Sequence, residues 1–249
     1  MDNINNVLTS LENLNKTYEI FVPSLNKKAK FKGLTTKQQK DAVKSALDKS
    51  LAGLSFSNLA NSIISENCTE KLNFLLTDRS YILVVLRSLS LSKTITTDEG
   101  TVDISFVETN NISTPKELLT FEITEDNLRV ICSIPSLSKD TFVNNETKKK
   151  IQPLPENDNL PKEAVGEMFV NELVKYIDKI VINDGNQPVE VVFNDITFAQ
   201  RVQIAEKLPL TVNSKLVNYI NEVKQFERKY FINNNKEVDI DVDPSLFTV

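Results

Sequence analysis

Tyr81-Ile82-Leu83-Val84-Val85-Leu86 is the longest apolar run of the chain and constrains its fold most. Thr77-Asp78 just before it is helix N-cap chemistry, so the segment reads as a helix running to about Ser90. A helix that is apolar on every side must be covered on most sides. It is therefore predicted to be the central element of the fold. The run is far short of the roughly 20 residues that a bilayer needs, so no membrane span is expected. Arg87, at its end, is expected to be partly buried, with a carboxylate or backbone carbonyls as partners.

The periodicity on either side of this helix differs. Residues 17–22 and 29–32 read as a hairpin around Pro23-Ser24 and Asn26, followed by a helix capped at Thr35 or Thr36 with Gln38 or Gln39 in the capping-box position. Val43, Ala46, Leu47, Leu51 and Leu54 recur at helical spacing, and another helix is predicted over 56–66. After Lys93, residues 94–97, 102–108, 118–124 and 128–134 alternate apolar and polar, as in an antiparallel β region. Residues 146–151 are predicted to add a strand, and Pro153, Pro155 and Pro161 mark a boundary. Helices return with Val165, Phe169, Leu173, Tyr176, Ile177 and Ile180 on one face, ended by Asp184-Gly185. A short strand over 189–193, a helix over 196–208 capped by Asn194 or Asp195, and a helix over 211–231 follow. The expected class is α+β, with two helical halves and an antiparallel β region inserted between them. The expected regions are 1–93, 94–155, 156–232 and a strand-like tail, 233–249. Val22-Pro23-Ser24-Leu25 and Ile134-Pro135-Ser136-Leu137 are a faint internal echo.

Composition then removes mechanisms. The chain of 249 residues has no His and 5 Gly. No His removes the Ser-His-Asp and Cys-His triads and every His metal site. Five scattered Gly exclude a dinucleotide fingerprint and a P-loop. The net charge of −5 and the low Arg content, 5 Arg against 24 Lys, give no footprint for nucleic acid. Lys148-Lys149-Lys150 reads as a solvated strand or loop edge. Cys68 and Cys132 form no CxxC and read as core residues of a reducing compartment; with no signal peptide visible over 1–6, a cytoplasmic protein is expected.

Each residual chemical motif has an ordinary explanation. Ser-x-x-Lys occurs at Ser24/Lys27, Ser90/Lys93 and Ser136/Lys139, the first and third in expected hairpin turns, so a Ser-Lys dyad is not expected. Asp239-x-Asp241-x-Asp243 opens like a calcium loop, but Pro244 stands where Gly is required; a strand's solvent face, with Val238, Ile240 and Val242 inward, explains it. Asp78, Asp178, Asp184 and Asp195 are the candidate carboxylates, and capping or helix ends account for three of them. Phe226, Tyr230 and Phe231 are read as core, with a partner-binding patch as the alternative. Neither a catalytic residue, a cofactor nor a metal is expected.

The order of these features resembles the baseplate hub proteins of T-even-type (T-four-like) contractile-tailed bacteriophages. Val22-Pro23-Ser24, Lys30-Phe31 and Leu34-Thr35 through Lys40 look like that family's first block. Thr77-Asp78, Tyr81, Leu86-Arg87 and Ser90 look like its second. Pro153-Leu154-Pro155, Ile177-Asp178-Lys179-Ile180, Phe198 and Leu208-Pro209 look like its later blocks. The length is closest to that of the members that assemble the hub. The resemblance implies a non-enzymatic assembly factor or chaperone in the host cytoplasm. Its partners would be other phage baseplate hub proteins, with neither nucleic acid nor membrane involved; oligomeric state stays open. It makes Pro23, Ser24, Asp78, Tyr81, Arg87 and Asp178 the family-motif residues. Leu246 and Phe247 in the tail are expected to dock onto another chain. The alternatives are a structural subunit of the mature hub, a His-free hydrolase using carboxylates or a Ser-Lys pair, and a cytoplasmic protein unconnected with phage.

Overall fold

The computed structural model of the chain describes residues 2–45, 52–97, 100–151, 162–183, 185 and 187–247. Ala46, Leu47, Leu51, the prolines at 153, 155 and 161 and Asp184 lie outside the described residues. The fold is α+β, built from helices and antiparallel sheets. Its middle is α4 (Leu76–Ser90), as its sequence requires. Tyr81, Ile82, Leu83, Val84 and Leu86 are all essentially sealed from solvent. At roughly 1.5–3 kcal/mol for each fully buried side chain of this size, these five residues together contribute on the order of 10 kcal/mol.

The elements around α4 come from the whole length of the chain. An N-terminal helix, α1 (Asp2–Leu14), leads into the hairpin β1 (Thr17–Val22) and β2 (Lys27–Lys32). The 3-10 turn Pro23–Leu25 and Asn26, at φ +48°, join these strands, as the turn chemistry predicts. Next come α2 (Thr36–Ser45), capped reciprocally by Thr35 and Gln38, and α3 (Ala52–Asn67). The inward face of α2 is set by Ala42, while Val43, expected to point in, is exposed.

β3 (Thr94–Thr97) and β4 (Gly100–Asp103) form a small hairpin, and residues 105–109 form a 3-10 turn where strand was expected. The short α5 (Lys116–Leu119) precedes β5 (Thr120–Glu125) and β6 (Leu128–Ser133). The expected strand at 146–151 is the last part of a helix, α6 (Leu137–Ile151), so Lys148-Lys149-Lys150 occupy a helix C-terminus. Cations are favoured there by the helix dipole.

α7 (Lys162–Tyr176) stops four residues earlier than its apolar stripe suggests, and β7 (Ile177–Ile182) begins at once. Val165 and Phe169 of α7, expected inward, are more than half exposed. β8 (Val189–Val192) follows, then α8 (Phe198–Glu206), whose cap is Thr197, not Asn194 or Asp195, and α9 (Leu210–Arg228). Together β5, β6, β7 and β8 form a four-stranded antiparallel sheet in that order. The sheet thus crosses the expected boundary between 94–155 and 156–232, and one continuous core joins all regions, the tail included. That tail is a two-residue hairpin, β9 (Ile232–Asn233) and β10 (Lys236–Glu237), then extended chain and a 3-10 turn at Pro244–Phe247. Asn234 and Asn235 take positive φ at the hairpin tip, the conformation Asn tolerates best after Gly.

Both β-hairpins that lead into a capped helix do so with the same pattern, a Phe, a branched aliphatic residue, a Thr and a Gln. Phe31-x-x-Leu34-Thr35-x-x-Gln38 begins at the end of β2, and Phe193-x-x-Ile196-Thr197-x-x-Gln200 follows β8. Each Phe is fully buried, and each Thr–Gln pair closes a capping box.

Candidate functional site

Asp78 is the meeting point of the motif residues. It stands at the third position of α4, not at its cap; the cap is Leu75. Its Oδ2 accepts the Leu75 N–H at 2.8 Å and the Ser24 hydroxyl at 2.6 Å, and its Oδ1 accepts the Ser24 N–H at 2.7 Å. Burial pushes the carboxyl above its usual range, against the pull of these donors. Pro23 is buried beside it, and the Pro23 carbonyl accepts the Thr114 N–H at 3.0 Å. One turn along α4, Tyr81 packs edge-to-face against Phe21 and Tyr230. The internal echo finds its reason here too. Pro135-Ser136, the counterpart of Pro23-Ser24, also docks on the start of α4, where the Pro135 carbonyl accepts the Leu76 N–H at 2.9 Å.

Arg87 and Asp178 lie elsewhere. Arg87 is almost fully buried, and its partners are carbonyls: Nε donates to the Leu246 carbonyl at 2.9 Å and Nη1 to that of Ser92. Leu246 and Phe247 were expected to reach another chain, and the structure corrects this. Both are buried in their own chain, with Phe247 edge-to-face on Phe56 and its carbonyl accepting from Gln39 Nε2 at 2.9 Å. The tail's apolar residues complete the core. Asp178 belongs to β7, where the register with β6 shifts between Ile131 and Cys132. Ile131 pairs with Lys179 and Cys132 with Ile177, leaving Asp178 as the extra residue of a bulge. A bulge re-aims a side chain, and this one meets Lys139 Nζ at 2.8 Å.

The most concentrated chemistry in the molecule was not visible in the sequence. Asp140 on α6 is buried between Arg79 of α4, at 3.1 Å, and Lys175 of α7, at 2.7 Å. Ser57 and Asn61 of α3 and Asn144 of α6 donate to the same carboxylate. Burial alone would raise the Asp140 pKa, but Lys175 and Arg79 outweigh it and hold the carboxyl below its usual range. Lys175 is correspondingly held above its own range, since Glu172 and Asp140 outweigh its burial. Glu227 of α9, which also feels the Arg79 charge, accepts the Ser80 hydroxyl at 2.9 Å, and burial raises its pKa to about 7. The readable signal is polar residues at helical spacing on two helices, Ser57/Asn61 and Asp140/Asn144/Thr147, which face each other in the fold. A buried carboxylate with two cations and three neutral donors is a fastening of four helices.

The motif candidates are likewise occupied by local structure. Ser136 opens α6 instead of lying in a hairpin turn; its hydroxyl accepts the Lys139 N–H, while Lys139 Nζ is held by Asp178 and the Ile177 carbonyl. Asp239, Asp241 and Asp243 alternate on the exposed side of the extended tail, with Ile240 inward. Asp78 and Asp178 answer to different partners, and Asp195 is exposed. Among the described residues, no group of three or more His, Cys, Asp or Glu is placed to hold a metal. Both cysteines are free, and burial raises the Cys132 thiol to about 12. Phe226, Tyr230 and Phe231 are core, as read from the sequence. A cleft of about 330 Å3 lies between β1, α4 and the 105–109 turn, lined by Tyr18, Lys28, Tyr81, Glu108 and Asn111 among others. No described helix is long and apolar enough to cross a membrane.

Comparison with known proteins returns no matching family model, no matching curated protein and no matching solved structure.

Proposed function

We propose that the chain is a non-enzymatic assembly factor for the baseplate hub of a contractile-tailed bacteriophage, acting in the host cytoplasm through contacts with other hub proteins. The observation that carries this reading is the Ser24–Asp78 junction. Two of the sequence blocks on which the resemblance rests meet there, through Ser24 and Asp78, 54 residues apart, which share one buried carboxylate. Residues that sustain each other in this way form a fold signature, which is how structural family motifs arise. The polar clusters also favour a contact role over catalysis, since Asp140, Arg79, Lys175 and Lys139 are each held by partners from their own chain.

The test is affinity purification of the tagged chain from infected cells, with mass spectrometry of co-purifying proteins. Hub and tail proteins should be enriched, and their absence would sink the reading. Purified virions separate the two family roles. An assembly factor is missing from them, whereas a structural subunit of the mature hub is retained.

A further inference from the structure

One strand edge of the protein opens into a cleft. Where β1 and β2 pair, the Gly33 N–H donates to the Lys16 carbonyl at 2.9 Å, while the main chain of Lys30 is taken on its far side by Thr69 and Glu70. Antiparallel alternation then turns the main-chain groups of Tyr18, Ile20 and Val22 towards β2 and those of Thr17, Glu19 and Phe21 away from it. Among the described residues, no other segment bonds to these outward N–H and C=O groups. The cleft of about 330 Å3 lies against this edge. The whole run 17–21 lines it, and Val85 and Leu89 of α4 give it an apolar wall beside the Tyr81 ring. We propose that this edge is a docking site for an extended segment of another protein, which adds to the hairpin as a third strand and directs alternate apolar side chains at the α4 wall.

The edge itself selects its occupant. Outward N–H and C=O groups recur at every second residue, and an extended main chain meets them in step. The protein's own chain begins to do so. Just beyond β1, the Thr114 N–H donates to the Pro23 carbonyl at 3.0 Å. The segment before it folds on itself, with Asn110 bonding to Val107 and Asn111 to Thr109, and so leaves the rest of the edge unserved. Other edges are guarded. β2 carries Lys27, Lys28, Lys30 and Lys32 and is covered by residues 68–70; β8 has four residues; β5 has Glu122 exposed and Lys215 Nζ at 3.4 Å from its Thr124 carbonyl. β1 has six residues, one charge and neither Lys nor Pro.

The side chains of the incoming segment follow from the pleat. Residues set opposite Tyr18 and Ile20 point to the face that these two share with α4, so they must be apolar. Residues opposite Thr17, Glu19 and Phe21 point to solvent, where Glu19 and Lys28 present both signs of charge. A second copy's β1 fits less well. Pairing the two edges about their centres sets Glu19 against Glu19, and like charges directly opposite are destabilising. A strand already backed by its own α4 is also too thick for a cleft walled by another. The inference rests on the edge alone and is independent of the phage reading.

A bead-bound random library of short, terminally blocked peptides, presented to the full chain, tests it. Selected peptides should carry apolar residues at alternate positions. N-methylation of a selected peptide at the residues whose N–H faces β1 should weaken binding by about tenfold or more, and at the intervening residues should change it little. In hydrogen exchange, the Thr17, Glu19 and Phe21 amides should exchange rapidly in the free chain and slowly with peptide bound, while those of Tyr18 and Ile20 stay slow in both. Glu19→Pro removes an N–H that the hairpin does not use, so it should abolish binding and leave thermal unfolding close to that of the parent. Leu89→Asp, on the wall, should weaken binding as well. No selected peptide, selected peptides without alternation, indifference to the position of N-methylation, or slow exchange of the outward amides in the free chain would each overturn the proposal.

Discussion

Two oxygens of Asp78 serve three donors drawn from the β1–β2 turn and the start of α4. Removing them strands two backbone N–H groups and a hydroxyl where water enters poorly. Asp78→Ala should cost roughly 2–4 kcal/mol, and Asp78→Asn, which keeps one acceptor, clearly less. Urea midpoints at constant m-value measure the order. Glu227 makes stability depend on pH. Its folded pKa, about 7, lies above the unfolded value near 4.5, so the folded state holds its proton longer. Stability must then fall as pH rises from about 4.5 to 7 and level off above that. Asp140, held low, contributes above pH 4 and is lost below it. Stability should peak near pH 5, and Glu227→Gln should flatten the decline towards neutrality. Unfolding free energies at pH 5, 6, 7 and 8 decide this, and an unaltered slope in Glu227→Gln would refute it.

The elements that the sequence misplaces fail for physical reasons that can be named. The inward face of α6 carries Asp140, Asn144 and Thr147 among Leu137, Val143 and Ile151, so hydrophobic periodicity passes over it. In β7 the bulge at Asp178 interrupts the alternation, so the buried Ile177 and Ile180 share one face at a three-residue spacing that imitates a helix. α4, α9, the β1–β2 hairpin and the Thr35–Gln38 box are legible because local chemistry and burial agree there. The charge cluster is not, since Arg79, Asp140 and Lys175 become neighbours only through tertiary packing. Among these elements, the 3-10 turn Pro244–Phe247 is the cheapest to test. Phe247 is sealed against Phe56, so Phe247→Ala should cost about 3–5 kcal/mol, as for other large core aromatics. A loss below about 1 kcal/mol in denaturant titration would mean that the tail is loosely held. Deleting 237–249 for the same reason tests folding, not docking.

At the scale of the molecule, α4 is clamped by the N-terminal hairpin, α3, the 105–109 turn, α6, α9 and the tail. Such a core has few independent parts. Ser24 answers to Asp78, while Leu76 and Leu137 exchange backbone hydrogen bonds with Pro135 and Phe74 across the start of α4. Three stretches separated by more than fifty residues of chain are therefore tied at one spot. Their amides have no local route to deuterium. In native-state exchange the N–H groups of Ser24, Leu75, Leu76 and Leu137 should trade their protons only when the entire chain opens, all with the same free energy and denaturant slope. Such uniformity across a turn, a loop and two helix starts would identify the Asp78 junction as the last part of the protein to let go.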